Sequence, residues 1–153
     1  AVEMGLALKC WGAGSVYAIE RKPEALELTR ANAQRFLGGW SGFHLVEGRA
    51  PQALEGLLAP THVFIGGSGG SMAEIVGSVL AANREVRIVA NAITLETVAE
   101  LLACRKRFGF AVWELVQLTA TPAMPVGPYH MPRGGNPVYI AVMQNPVEAE
   151  EKE

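Results

Sequence analysis

The stretch HVFIGGSGGSMAEIVGSVL, residues 62–80, places four glycines within five residues, between a short apolar run and a helical pattern. The run HVFI has the length of a strand, and the apolar residues beyond the glycines recur at helical spacing. These residues are Met72, Ile75, Val76, Val79 and Leu80. A strand, a glycine loop and a helix in this order are typical of parallel α/β sheets, which bind ligands beyond the carboxyl ends of their strands.

The rest of the chain also alternates between strand and helix signals. Strands are predicted at residues 15–20, 43–47, 62–65 and 86–91, and helices are predicted to begin near Pro23 and Thr94. Two long strand-like segments, 111–121 and 136–144, follow, joined by a loop rich in proline and glycine. The pattern predicts an α/β, doubly wound, Rossmann-like sheet with an antiparallel last strand. We expect one domain at residues 1–145 and a charged tail at residues 146–153.

Composition restricts the classes of function. The 153 residues are 50% hydrophobic and 18% charged, which predicts a folded domain. A net charge of −2 gives no field that would attract nucleic acid or a membrane surface. Cys10 and Cys104 form no CxxC pair, which suits a reducing cytoplasm, and no residues have the spacing of a metal site. No apolar run approaches the roughly 18 residues of a membrane span.

Candidate site residues are those that follow the predicted strands. They are Glu20 and Arg21; Gly48, Arg49 and Ala50; Gly66, Gly67, Ser68, Gly69 and Gly70; Asn91 and Thr94; and the loop 122–136, with His130 and Arg133. Glu20 ends its strand with a carboxylate that can accept hydrogen bonds from both hydroxyls of a ribose. The alternative for Glu20 is a solvated glutamate at the start of a helix.

The segment GAGS, residues 12–15, resembles half of a dinucleotide-binding motif, but that motif requires a helix after its glycines and an acidic residue about 20 positions later. Here a strand follows, and Glu20 comes only a few residues on. Gly12 and Gly14 are therefore predicted to form a turn. If Glu20 holds a ribose, we expect the glycine loop of the cofactor site, and the strand before it, upstream of Ala1. The segment AVEMGLAL would then end the following helix.

The glycine loop at residues 66–70 lacks the lysine of a GxxxxGK[ST] motif, which argues against a Walker-type phosphate site. Glycines at the end of a central strand let a bulky, uncharged or cationic ligand approach the backbone closely. The alternative interpretation is a flexible connection between the strand and the helix.

Five segments of the chain carry a family resemblance. They are AIERKPEALELTRANAQRF (18–36), VEGRAPQALEGL (46–57), VFIGGSGGSMAEI (63–75), RIVANAITLET (87–97) and PVGPYHMPRGGNPVYI (125–140). In this order and spacing they resemble the decarboxylating precorrin-6 (carbon-15) methyltransferases of cobalamin biosynthesis. Members of that family occur as separate proteins or as the carboxyl-terminal half of a carbon-5,15 fusion enzyme. The sequence departs from the family at Thr61-His62, where an acidic residue is usual.

The resemblance implies a cytoplasmic, homotetrameric enzyme with the class I methyltransferase fold. Such an enzyme uses S-adenosylmethionine to methylate carbon 15 of the corrin precursor, and it removes carbon dioxide from the ring C acetate. The implied cofactor-binding residues are Glu20, Arg21, Gly48, Arg49, Ala50 and Gly66. The implied substrate-binding residues are Gly67, Ser68, Gly69, Gly70, Asn91, Thr94, His130 and Arg133. No catalytic residue is assigned, because an in-line methyl transfer depends mostly on positioning.

Two other classes of function stay open at this point. A nicotinamide-dependent oxidoreductase would share the sheet and the role of Glu20, although the antiparallel last strand favours a methyltransferase. A non-catalytic fragment or assembly domain of a fused corrin enzyme is the second alternative. Trp113, Tyr139 and Ile140, in the last two strands, offer apolar surface for the homotetramer that the resemblance implies.

Overall fold

The structure is a computed structural model, and it describes residues 1–12 and 14–145. The predicted charged tail at residues 146–153 lies outside the described residues. The chain divides into two compact units, Ala1–Gly56 and a second that begins at Leu57. Each unit has its own β-sheet and its own helices.

The first unit is a parallel pair of strands with two helices. Its elements are α1 (Val2–Trp11), β1 (Val16–Glu20), α2 (Pro23–Leu37), β2 (Phe43–Glu47) and a short 3-10 helix (Gln52–Leu54). Strands β1 and β2 are parallel, so Glu20 and Glu47 end them side by side. Helix α1 ends at Gly12, whose φ of 74° is left-handed. A strand rather than a helix comes after Gly12 and Gly14, because β1 begins at Val16, and this argues against a dinucleotide motif as predicted.

The second unit contains a mixed four-stranded sheet. Its elements are β3 (His62–Ile65), α3 (Met72–Ala82), β4 (Arg87–Ala92), α4 (Leu95–Phe108), β5 (Val112–Leu118), β6 (Ala123–Val126), β7 (Tyr129–Pro132) and β8 (Val138–Gln144). The strand order is β3-β4-β8-β5, with β3 parallel to β4 and β8 antiparallel to both of its neighbours. Strands β3, β4 and β5 therefore point the same way, and their carboxyl ends share one edge. The predicted antiparallel last strand is confirmed.

The core of the second unit lies between this sheet and helices α3 and α4. Ile88 and Met143, opposite each other on β4 and β8, are fully buried, as are Val76 of α3 and Leu101 of α4. Helix α4 begins after Thr94, whose side chain accepts a hydrogen bond from the Thr97 amide at 3.2 Å. Its start, predicted near Thr94, is confirmed.

The loop predicted at residues 122–136 contains a β-hairpin. Strands β6 and β7 pair antiparallel and turn at Gly127, where φ is 59°. Pro125 and Pro132 in these strands made the segment resemble a loop. Proline is tolerated here because both strands of a two-stranded hairpin are edge strands, where a missing N–H costs little.

Among the described residues, no helix is both long enough and apolar enough to span a lipid bilayer.

Candidate functional site

Glu20 ends β1 with a carboxylate that the following backbone holds in place. Its Oε1 accepts hydrogen bonds from the amides of Arg21 and Lys22, at 2.8 and 2.9 Å. The Lys22 amide is the main cause of a pKa below the ordinary glutamate value; burial opposes this shift, and the Arg21 amide adds to it. Within the described part of the chain, Oε2 accepts no hydrogen bond. The site thus offers an ionised, oriented carboxylate with one unused oxygen, which fits a vicinal diol such as that of a ribose.

The loop after β2 lies beside Glu20. The Gly48 amide donates to the Glu20 carbonyl at 2.9 Å, and the Ala53 amide donates to the Arg49 carbonyl at 2.9 Å. Gly48 has a φ of 155°, and a Cβ built on it would lie 2.8 Å from Ala53 Cβ. Glycine is required here, because both this φ and this short distance exclude a side chain. Gly48 thus borders the end of β1, and Arg49 and Ala50 follow it in the loop.

The glycine loop, residues 66–70, follows β3 at the shared carboxyl edge of the second unit. Its four glycines are exposed, and Gly69 and Gly70 have φ values of 57° and 87°. A Cβ built on Gly67 would meet no atom within 4 Å. Ser68 is the opposite case, because its side chain is buried with 8% exposure. The loop therefore exposes bare backbone and turns one polar side chain inward.

Asn91, near the end of β4, is bonded to the start of the glycine loop. Its side chain faces two acceptors, the carbonyls of Ile65 and Gly66, so the amide nitrogen must point towards them. In that orientation Nδ2 donates to Ile65 at 3.1 Å and to Gly66 at 3.0 Å. The structure places Asn91 at the predicted edge and directs its donor to the protein backbone.

Thr94 lies at the same edge, two residues after β4, as the amino-terminal cap of α4. Its Oγ1 accepts from the Thr97 amide and lies 3.1 Å from the Thr97 hydroxyl. A contact between Thr94 and substrate stays a prediction, and the capping bond is the role that the contacts show.

His130 and Arg133 belong to the hairpin that follows β5. His130 lies on β7 opposite Pro125, and the Arg133 amide donates to the Pro122 carbonyl at 2.9 Å. Both side chains are exposed. Since β5 points the same way as β3 and β4, the hairpin departs from the edge that carries the glycine loop. An imidazole and a guanidinium in this position suit a ligand rich in carboxylates.

Glu100 is a residue that the sequence analysis missed. It lies on α4, and its Oε2 accepts a hydrogen bond from Ser68 Oγ at 3.1 Å. It also lies one turn before Cys104, whose thiol pKa is raised first by burial and then by the negative charge of Glu100. The available signal was its i, i+4 spacing to Cys104, which places a carboxylate on the inward side of the helix.

The profile of the precorrin methyltransferase domain matches residues 4–145. The chain belongs to the precorrin methyltransferase family. The predicted family is therefore confirmed. This family member is 34% identical over 137 residues to a probable cobalt-precorrin-6B C(15)-methyltransferase (decarboxylating) of Saccharolobus solfataricus, covering 87% of the chain and 67% of the relative. The chain spans half the length of a relative with the same description from Methanothermobacter thermautotrophicus, at 40% identity and with 63% of the chain matched.

Solved structures of the family have the same fold as this precorrin methyltransferase domain. The crystal structure of precorrin-6y C5,15-methyltransferase from Geobacter metallireducens has a TM-score of 0.77 at 34% identity, covering 86% of this chain and 69% of that one. A SAM-dependent O-methyltransferase from Thermotoga maritima, at 19% identity, has a TM-score of 0.60 over 89% of this chain and 52% of its own. The predicted class I methyltransferase fold is confirmed.

Proposed function

We propose that this chain carries out the S-adenosylmethionine-dependent methylation of carbon 15 of a precorrin-6 type substrate, coupled to decarboxylation of the ring C acetate. The relatives named as decarboxylating C(15)-methyltransferases support this activity. The observation that carries it is the exposed glycine backbone of residues 66–70 at the carboxyl edge of the sheet. Such a surface admits a broad, flat macrocycle where any larger side chain would hold it away.

The cofactor role rests on Glu20 and the loop beside it. When bound, S-adenosylmethionine supplies a methyl group activated by its sulfonium. Glu20 Oε2 accepts hydrogen bonds from the ribose hydroxyls, while Gly48, Arg49 and Ala50 border the adenine. Arg21 and Gly66 complete the proposed cofactor-binding set.

The substrate role rests on the second unit. Gly67, Ser68, Gly69 and Gly70 form the surface under the macrocycle. His130 and Arg133, exposed on the hairpin, bind its carboxylates. Asn91 and Thr94 belong to the same edge. A protonated tetrapyrrole can serve as its own electron sink for decarboxylation, so these residues need only position the substrate and exclude water.

The test uses the full-length protein with S-adenosylmethionine labelled in its methyl group and a metal-free or cobalt-containing precorrin-6 type substrate. Label should appear in the macrocycle together with released carbon dioxide. A parallel titration with NAD and NADP should show no binding. Binding of a nicotinamide cofactor without S-adenosylmethionine binding would instead support the oxidoreductase alternative. Binding of neither would support a non-catalytic assembly domain.

We also propose a cytoplasmic homotetramer, as the family resemblance implies. The surface that supports it is one face of β5, where Val112, Val116 and Leu118 are exposed. Trp113, Tyr139 and Ile140, which the sequence suggested for this role, are half-buried within the second unit. Covering this exposed apolar face would stabilise an assembly.

A further inference from the structure

We propose that Glu100 and Asn91 are positioning residues for methyl transfer, which fix the glycine loop through Ser68 and through the carbonyls of Ile65 and Gly66. The proposal rests on the proposed function only for its effect on turnover. Its structural part is that side chains of β4 and α4 hold the loop, and this part depends only on the contacts described above. We call Ser68, Asn91 and Glu100 the loop anchors.

The first anchor point is in the middle of the loop. Ser68 is buried between pairs of exposed glycines, and its hydroxyl donates to Glu100 across 32 residues of sequence. A buried hydroxyl needs a hydrogen-bond partner, because burial removes its hydrogen bonds to water. Without a replacement, that loss would lower the stability of the fold. The bond to Glu100 therefore favours the conformation in which Ser68 points inward. In that conformation Gly67 and Gly69 are left on the outer side.

The second anchor point is at the start of the loop. Asn91 donates both of its amide protons, one to Ile65 and one to Gly66, the last residue of β3 and the first of the loop. Both carbonyls thus receive a donor from this side chain at the point where β3 ends. Asn91 thereby fixes the direction in which the chain leaves β3.

Helix α3 sets the far end of the loop. The Ser71 amide donates to the Ser68 carbonyl at 3.2 Å, and Gly69 and Gly70 take left-handed backbone conformations between them. The five residues are therefore tied at their start, middle and end. A flexible connection would not need an inward serine or two side-chain partners from β4 and α4. The contacts thus favour a preformed surface over a mobile linker.

Two isosteric substitutions test whether the hydrogen bonds of these side chains, rather than their size, hold the loop. Glu100→Gln keeps an oxygen that accepts from Ser68, so the loop should stay in place. Asn91→Asp replaces the donor with a carboxylate facing two carbonyls, so the start of the loop should be released. Glu100→Ala should behave like Asn91→Asp. Glu96→Ala, on an exposed residue one turn earlier on α4, is the matched control.

The experiment measures amide hydrogen exchange across residues 66–71 and steady-state kinetics in the full-length protein. We expect Asn91→Asp and Glu100→Ala to speed exchange in the loop and to lower kcat about 10- to 100-fold, the scale of a displacement of about 1 Å. S-adenosylmethionine affinity should stay within about threefold of wild type in Glu100→Ala. In Asn91→Asp it should fall less than kcat does, because Gly66 belongs to the proposed cofactor-binding set. Glu100→Gln and Glu96→Ala should match the wild type in exchange and in kcat.

The results also separate failure of the inference from failure of the proposed function. Equal loop protection in wild type, Asn91→Asp and Glu100→Ala would overturn the loop anchors, whatever the enzyme does. So would a Glu100→Gln variant as impaired as Glu100→Ala. A wild-type protein without methyl transfer would refute the proposed function, while the exchange data would still decide whether the loop is held. A Ser68→Ala, Glu100→Ala double variant should be no worse than either single variant, because both remove the same bond.

Discussion

The carboxylate of Glu20 combines two properties that one side chain rarely has at a strand end. Its Oε1 is fixed by the amides of Arg21 and Lys22, and its Oε2 remains available for a ligand. The glutamine variant keeps an oxygen that those amides can use, so it changes charge with little change in backbone geometry. Glu20→Gln therefore tests binding while the backbone at the site changes little.

We expect Glu20→Gln to weaken S-adenosylmethionine binding by roughly 1–3 kcal/mol, because hydrogen bonds to a charged acceptor are stronger than those to a neutral one. Isothermal titration of the full-length protein measures this. Glu24→Gln, in the exposed first turn of α2, removes a nearby charge that the proposed site does not use and should bind normally. Unchanged affinity in folded Glu20→Gln would remove Glu20 from the cofactor site.

The lowered pKa of Glu20 has a consequence for stability. A carboxyl whose folded pKa lies below its unfolded value of 4.5 stabilises the fold above that pH, and this contribution is lost as pH falls through the folded pKa. The wild type should therefore exceed Glu20→Gln in unfolding free energy at pH 6, and the difference should shrink below pH 4.5. Urea titrations at pH 6, 5, 4 and 3 measure it. A difference that does not change over this range would contradict the assignment of the shift.

At the scale of an element, the glycine loop has one position where a side chain tests function without disturbing the fold. Gly67 does not have positive φ, and a Cβ built on it would have no atom within 4 Å. Gly67→Val should fold normally but lose most methyl transfer, because the valine would hold the macrocycle away. Gly67→Ala should lose less, and S-adenosylmethionine affinity should fall less than turnover in both. Near-normal turnover in folded Gly67→Val would show that the loop is only a connection.

In the loop after β2 we expect a substitution to affect stability, because there the fold itself requires glycine. Gly48→Ala should destabilise the protein by about 1–3 kcal/mol through its backbone conformation, in addition to the 2.8 Å approach to Ala53. Adding Ala53→Gly should restore the stability lost to the clash, but not the stability lost to the backbone conformation. Gly134→Ala, at an open glycine without positive φ, is the control. Equal urea midpoints for Gly48→Ala and wild type would refute the constraint.

Local patterns were enough to predict most of the regular elements. Strands at residues 43–47 and 62–65 agree with β2 and β3, and the helix at Thr94 begins where its cap predicts. The hairpin at 122–136 was missed because its prolines hid the strand pattern. Glu100 was missed for a different reason: a hydrogen bond across 32 residues depends on packing that no local pattern contains. The strand ends were enough to predict where the candidate site residues lie, but they did not predict the hydrogen-bond partners of those residues.

At the scale of the whole molecule, the exposed apolar residues of β5 make assembly testable. Sedimentation of the full-length protein at micromolar concentration should show a tetramer, and Val116→Lys should shift it to smaller species because it places a charge on the exposed strand. Gln117→Lys, on an exposed polar residue of the opposite face of the same strand, is the matched control for added positive charge. A wild-type monomer would contradict the proposed tetramer.

The place of β8 in the strand order has a consequence for synthesis. It is the last of the described strands along the chain, yet it lies between β4 and β5 and carries the fully buried Met143. During translation β4 and β5 leave the ribosome with no direct pairing to each other, and each exposes an unpaired edge until β8 is made. Such non-local pairing is slow and leaves nascent chains open to aggregation. Ribosome-bound chains that stop before Val138 should therefore depend on chaperones far more than released protein does.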